Sequence, residues 1–237
     1  MTEPLFRADA YLREAPAIVL AINDRGGVIL DRTNFYATSG GQPGDVGSLT
    51  RSDGTVLPVA TTVYESDRKT IVHVLPDGAT RPEVGETVTA AIDWPVRYRR
   101  MRVHTALHLL TVALPYPVTG GAIGEGEGRL DFDIPDAGVD RDAVAAKVNE
   151  AIATNAEVRD RWITDEELLA NPGLVKTMSV KPPMGTGRVR LVEIDGLDLQ
   201  PCGGTHVRRI GEIGAIRITE IEKKGKQNRR VRIALVD

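Results

Sequence analysis

VRYRRMRVHTALHLLTVAL (residues 96–114) is the first stretch of this chain with helical spacing, and it divides two kinds of pattern. Val103, Leu107, Leu110 and Leu114 recur at three- and four-residue intervals, so they share one side of a helix. Pro115 and Pro117 end it. Upstream the sequence reads as short strands. Ile18–Ile22 is an apolar run, Asn23 to Gly27 is a turn cluster, and Val28–Asp31 resumes strand character. Ser52-Asp53-Gly54-Thr55 is a hairpin signal followed by strand-like VLPVATTVY (56–64), with Thr70–Leu75 and Thr87–Ile92 as further strands. Short strands divided by turns predict a small β-barrel or sandwich over residues 1–93. The boundary is expected near Asp93-Trp94-Pro95, with a second domain over 94–237.

The second part mixes helices and strands. RLDFDI (129–134) alternates like a strand. Asp140 is placed to cap a helix burying Val144, Val148 and Ile152, and Thr164 with Glu167 has capping-box spacing. VRLVEI (189–194), AIRITEI (215–221) and RRVRIALV (229–236) are predicted strands. The fold class expected is α+β, helices on a largely antiparallel sheet.

Composition narrows the class. Hydrophobic residues at 41% and charged residues at 27% describe an ordinary core-forming chain. One cysteine excludes an internal disulfide and suits a reducing compartment. The start, MTEPLFRADAYLREA, lacks a basic n-region and apolar core, and no apolar run approaches a membrane span. A cytoplasmic protein without membrane contact is therefore expected, and nothing points to an obligate protein partner. The net charge is −3, yet RYRRMR (97–102) and EKKGKQNRRVR (222–232) are strongly basic. Local basic surface can contact phosphates or can be a solvated face.

The scarce ligand residues are paired. Of four histidines and one cysteine, His104 and His108 stand four apart, as do Cys202 and His206. The two pairs together offer three imidazoles and one thiolate, a set that tetrahedral Zn²⁺ accepts, so one zinc per chain is expected. HTALH is related to HExxH, but Thr105 stands where a peptidase carries its glutamate base. Four protein ligands usually mean a structural zinc, whereas hydrolytic zinc keeps an open position; the spacing leaves both open. His73, in TIVHVL, reads as a sheet residue. The last motif is TNFYATSGGQPGDVG (33–47). Its glycines permit unusual backbone geometry and close ligand approach, or simply a pair of turns between strands.

Three blocks carry a resemblance: VILDRTNFYATSGGQPGDVG, then HTALHLL with GGAIGEGEGRLDFDI, then PCGGTHVRRIGEIGAIRITEIEKKGKQNRRVRIAL. In order and spacing they resemble the editing region of alanyl-tRNA synthetase and its free-standing relatives, the AlaX-type alanyl-tRNA editing proteins. The resemblance implies a barrel-like N-terminal domain, an α+β metal-binding editing domain, and hydrolysis of mischarged tRNA(Ala), chiefly Ser-tRNA(Ala) and also Gly-tRNA(Ala). The family's metal ligands fall on His104, His108, Cys202 and His206, and its glycine-rich motif on residues 35–47. Gly40, Gly41, Gln42, Asp45 and Thr105 become candidate substrate contacts. Arg97, Arg99, Arg100, Arg102, Lys223, Lys224 and Lys226 become candidate tRNA contacts. A chain this length has no room for an aminoacylation domain, so action in trans is expected. Threonyl-tRNA synthetase editing domains resemble the second and third blocks only, leaving Ser-tRNA(Thr) as an alternative substrate. A zinc peptidase and a non-catalytic RNA-binding module with structural zinc are the readings from other classes.

Overall fold

A computed structural model describes residues 2–135, 138–178 and 187–236. The chain is mixed α+β. Its contacts group into two compact units, Met1–Tyr98 and Arg99–Asp237, dividing a few residues beyond the expected boundary and inside a helix. No helix among the described residues is long and apolar enough to cross a membrane.

The first unit is a seven-stranded antiparallel sheet of β1 (Glu14–Ile22), β2 (Val28–Leu30), β3 (Gly47–Arg51), β4 (Val56–Val59), β5 (Thr61–Tyr64), β6 (Ile71–Val74) and β7 (Thr87–Ile92). Their spatial order is β4-β3-β7-β1-β2-β6-β5. The two outermost strands are consecutive in sequence and joined by Ala60 alone, so the sheet curls into a nearly closed barrel. VLPVATTVY, expected as one strand, is thus two strands on opposite edges. Ala60 makes the break: its N–H turns to Val74 O at 2.8 Å.

β1 shows why alternation matters more than an apolar run. Ala15, Ala17 and Val19 point into the core, while Ile18 and Leu20 remain nearly half exposed. β1 pairs with β7 over its first half and with β2 over its second, and a register shift between Val19 and Ala21 interrupts the second pairing. His73 is a sheet residue, with Nδ1–H donating to Val28 O at 3.0 Å and Nε2 accepting from Thr33 Oγ1 at 2.8 Å. Burial holds its pKa down to about 4, against the pull of that carbonyl.

α1 (Trp94–Ala113) starts where Asp93 accepts from Val96 N at 3.2 Å and stops ahead of Pro115 and Pro117. It is buried on every side from Val103 to Thr111, not merely on the stripe its periodicity predicts. In the second unit it is followed by β8 (Val118–Ile123), β9 (Glu127–Asp133), α2 (Arg141–Ala153), β10 (Val158–Ile163), α3 (Asp165–Ala170), β11 (Val189–Ile194), β12 (Asp198–Pro201), β13 (Ala215–Lys223) and β14 (Asn228–Val236). One antiparallel sheet has the order β8-β9-β14-β13 and a second β10-β11-β12. Register places Gly128, Leu130 and Phe132 on the same face as Val231, Ile233 and Ile218. α1 packs on that face at Gly128, where an added Cβ would stand 2.6 Å from Val103 Cγ1. α2 is tied to β13 by Asn149, whose amide donates to Ile216 O and accepts from Ile216 N, both at 2.9 Å.

Candidate metal centre

α1 presents His104 and His108 one turn apart, and the loop leaving β12 presents Cys202 and His206. The two distant segments meet. The four ligand atoms lie within 4.8 Å of one another, with Cys202 Sγ 3.4 Å from His104 Nε2 and 3.2 Å from His206 Nε2. Four atoms bound at about 2.0–2.3 Å around one tetrahedral ion stand roughly 3.3–3.8 Å apart, so the two sulfur–nitrogen separations are already near that range and the widest separation would close by about 1 Å on an ion. All three imidazoles are buried.

The loop is held by its own backbone and by groups outside the ligand motif. Gly204 N–H donates to Cys202 Sγ at 3.5 Å. Arg190 on β11 donates through Nη1 to the carbonyls of Cys202 and Gly204, at 2.8 and 3.0 Å, while Nη2 grips Asp160 at 2.6 Å. Behind His108, Nδ1–H donates to Asp198 Oδ2 at 3.0 Å. That oxygen also accepts from Gln200 Nε2 at 2.7 Å, and Lys176 Nζ binds the other carboxylate oxygen. Behind His206, Nδ1–H donates to Thr105 Oγ1 at 3.1 Å. Thr105, expected among the substrate contacts, is fully buried; its hydroxyl donates to Met101 O at 2.9 Å and accepts from Val207 N at 3.3 Å.

The electrostatics suit a metal. Burial alone would raise the Cys202 thiol, but the His104 and His206 rings reverse this and hold it well below the usual thiol range. Burial, reinforced by His104, keeps His206 below its usual value and neutral. Burial also opposes charge on His108, yet the Asp198 carboxylate and Cys202 outweigh it and push His108 up to about 9. A cation held by these four residues would therefore require His108 to give up a proton. Burial would raise Asp198, but His108, Gln200 and Lys176 bring it down to about 2. A cleft of about 570 Å³ borders this network, lined by Thr111 and Lys176 with Tyr116, Val175, Met178 and Leu197.

Comparison with known proteins identifies the family of the chain. A family model described as "Threonyl and Alanyl tRNA synthetase second additional domain" matches residues 189–232, and one described as "tRNA synthetases class II (A)" matches 13–96. The alanyl-tRNA editing protein AlaX-M of Methanosarcina mazei is 37% identical over 248 aligned residues, covering 100% of this chain and 98% of that protein. The AlaX-M protein of Saccharolobus solfataricus is 36% identical and covers 98% of each chain. The chain belongs to the AlaX-M family of alanyl-tRNA editing proteins. The alanine–tRNA ligase of Pyrobaculum arsenaticum is 35% identical, the match covering 94% of this chain and 25% of the ligase.

The glycine-rich block of this AlaX-M family member lies in the first unit and is a closed turn. Ser39 N donates to Gln42 O at 3.1 Å and Gln42 N to Ser39 O at 2.9 Å. Gly40 and Gly41 between them have φ +54° and +82°, the pair of left-handed residues a type I′ turn needs. Both glycines are exposed; Gln42 is fully buried. Gly44 packs so tightly that a Cβ would stand 1.8 Å from Thr62 O. Asp45 sits beneath the turn. It accepts from Tyr36 N at 2.5 Å and from Arg97 Nε at 2.9 and 3.0 Å, and forms a buried ion pair with Arg97 Nη2. Arg97, expected on the RNA-facing surface, has no exposed area and also donates to Ala10 O and Asn34 O.

The other basic candidates divide. Arg100 is buried against Glu125 at 3.0 Å, and Arg102 donates to Ile213 O at 2.9 Å. In the second unit Gly126, in the GEGEG loop, packs against the Arg99 guanidinium. Along β14, Arg230 pairs with Asp131 and Arg232 with Glu222, both at 2.7 Å, so the arginines of the basic tail are largely compensated by strand neighbours. Lys223, Lys224 and Lys226 are exposed at the tip of the β13–β14 hairpin, Lys224 beside Glu222.

Proposed function

We propose that the chain is an aminoacyl-tRNA deacylase acting in trans on mischarged tRNA(Ala), chiefly Ser-tRNA(Ala) with Gly-tRNA(Ala) as a second substrate, and that it holds one zinc ion through His104, His108, Cys202 and His206. The observation that carries this reading is the convergence of both ligand pairs within 4.8 Å, in a chain that aligns end to end with proteins named for alanyl-tRNA editing. When bound, zinc supplies Lewis-acid polarisation and a local positive charge. An aminoacyl ester is already reactive, so the remaining work is positioning and charge stabilisation rather than strong nucleophilic attack. The cleft beside Lys176 and Thr111 is apolar enough for a planar base and polar at one wall, and we assign it to the terminal nucleotide. Gly40 and Gly41 keep their assignment as substrate contacts because their exposed backbone permits close approach. Gln42, Asp45 and Thr105 act from behind, fixing the turn and a ligand.

Single-turnover deacylation tests this. Ser-tRNA(Ala) is expected to be cleared at least about a hundredfold faster than Ala-tRNA(Ala), because a site that bonds the serine hydroxyl leaves polar groups unpaired with alanine. Equal rates, or faster clearance of Ser-tRNA(Thr), would overturn the substrate assignment. The closed four-ligand set also favours a second reading, an RNA-binding module with structural zinc, and absence of any deacylation would select it. The exposed lysines supply a further prediction. Alanine at Lys223, Lys224 and Lys226 together should raise KM with little change in kcat. The slope of log affinity against log salt should fall by roughly 1 for each phosphate no longer neutralised. An unaltered salt slope would remove the hairpin tip from the RNA interface.

A further inference from the structure

Two side chains that are not themselves ligand candidates stand directly behind two of the four metal-ligand candidates. Asp198 Oδ2 lies 3.0 Å from His108 Nδ1, and Thr105 Oγ1 lies 3.1 Å from His206 Nδ1. Each contact leaves Nε2 as the ring nitrogen available to a cation. We propose that Asp198 and Thr105 are positioning residues that fix His108 and His206 as Nε2 ligands, and that Lys176 with Gln200 holds Asp198 in place in the metal-free protein.

The geometry supports orientation rather than general packing. Asp198 is buried, and its two oxygens are used differently: one faces His108 and Gln200, the other Lys176. A carboxylate serving only the fold would be satisfied by Lys176 and Gln200 alone. Thr105 is equally committed: with Met101 O and Val207 N also bonded, its hydroxyl cannot rotate away from His206. Charge balance explains the lysine. Before metal arrives, the Lys176 ammonium and the His108 ring both lie against the Asp198 carboxylate. Once three imidazoles and a thiolate hold a divalent cation, the centre carries one net positive charge, and Asp198 neutralises it through His108. Lys176 also stays reachable from the neighbouring cleft, its side chain 27% exposed, so it can turn outward without leaving a buried charge.

The inference rests on the proposed metal site, and the test separates the two. Zinc affinity is measured on the full chain by competition with a chromophoric chelator, together with the visible spectrum of the cobalt-loaded protein. Failure of the unaltered chain to bind either ion would sink the metal reading itself. With that binding intact, Asp198→Asn and Thr105→Val are each expected to weaken zinc about 10- to 100-fold, the usual cost of losing an outer hydrogen bond to a ligating histidine. The cobalt band should shift in both variants. Lys176→Met should stay within about threefold of the parent or bind more tightly, since Asp198 keeps its charge for His108. Asp198→Asn/Lys176→Met removes both charges of the pair, so its metal-free fold serves as the control against collapse. Unchanged zinc affinity in folded Asp198→Asn would overturn the proposal. So would a loss in Lys176→Met equal to that in Asp198→Asn, which would make the network a packing unit.

Discussion

Cys202→Ala is expected to lose bound zinc and deacylase activity together. Metal analysis should fall from about one ion per chain to near zero, and the single-turnover rate on Ser-tRNA(Ala) by at least about a hundredfold, the scale at which removing a major source of transition-state charge stabilisation is felt. Cys202 sulfur is the shared neighbour of the cluster, lying 3.4 Å from one imidazole and 3.2 Å from another that comes from a different segment. It is also the one anionic donor among the four. Without it, three imidazoles surround a space whose nearest anion, Asp198, is turned to the far side of His108. The loss should appear in stability as well. At zinc concentrations about 100 to 1,000 times its dissociation constant, binding adds roughly 2.7–4.1 kcal/mol to the folded state, and the variant should no longer gain it. Thermal unfolding with and without added zinc measures the difference directly. Full activity in protein shown to be metal-free would end the zinc assignment, whatever the fold.

The candidate cluster was legible because its residue types are scarce. With four histidines and one cysteine, two matched spacings stand out without any knowledge of which segments meet. Their supports were not legible. Asp198 acts on a histidine 90 positions away, and Arg190 holds the ligand loop through main-chain carbonyls, which have no residue identity to read. Local signals survived wherever one turn of chain decides the outcome. Asp140 accepts from Asp142 N and Ala143 N as its position predicts, and Thr164 with Glu167 forms both halves of a capping box. Signals failed where pairing with a neighbouring strand or a place in the sheet decides. VTGGAI (118–123) is a strand because β9 pairs with it, despite two glycines that weaken any local preference. VRDRWI (158–163) is a strand on the edge of a sheet with most of its side chains in water, so no apolar alternation marks it. RYRRMR was misleading for a related reason. Its four arginines look alike in sequence, yet one lies at zero exposure under a turn fifty residues upstream.

That buried arginine sets the second large effect. Asp45→Ala is expected to destabilise the first unit by about 3–5 kcal/mol, because it leaves the Arg97 guanidinium charged and uncompensated inside the protein. The pair also organises the chain locally. Arg97 reaches Asp45, Asn34 O and Ala10 O, and Asp45 in turn accepts from Tyr36 N, so four stretches of the unit meet on one guanidinium. The Ser39–Gln42 turn hangs from that knot. Arg97→Met alone should cost less than Asp45→Ala, since a lone buried carboxyl can take up a proton and become neutral where a guanidinium cannot give one up. In a double-mutant cycle, Asp45→Ala with Arg97→Met should fall well short of the summed single losses, leaving mainly the orphaned carbonyls of Ala10 and Asn34 and the orphaned Tyr36 N–H. The measurement needs a signal confined to this unit, and the sequence provides one. Trp94 and Trp162 are the two tryptophans, and Trp94 stacks on Tyr98 at 5.3 Å with Tyr11 at the same distance. In a Trp162→Phe background, Trp94 fluorescence against urea reports the unfolding of this region. A loss below about 1 kcal/mol for Asp45→Ala would mean that water or a rearranged side chain reaches Arg97, and the pair would then be no anchor for the glycine-rich turn.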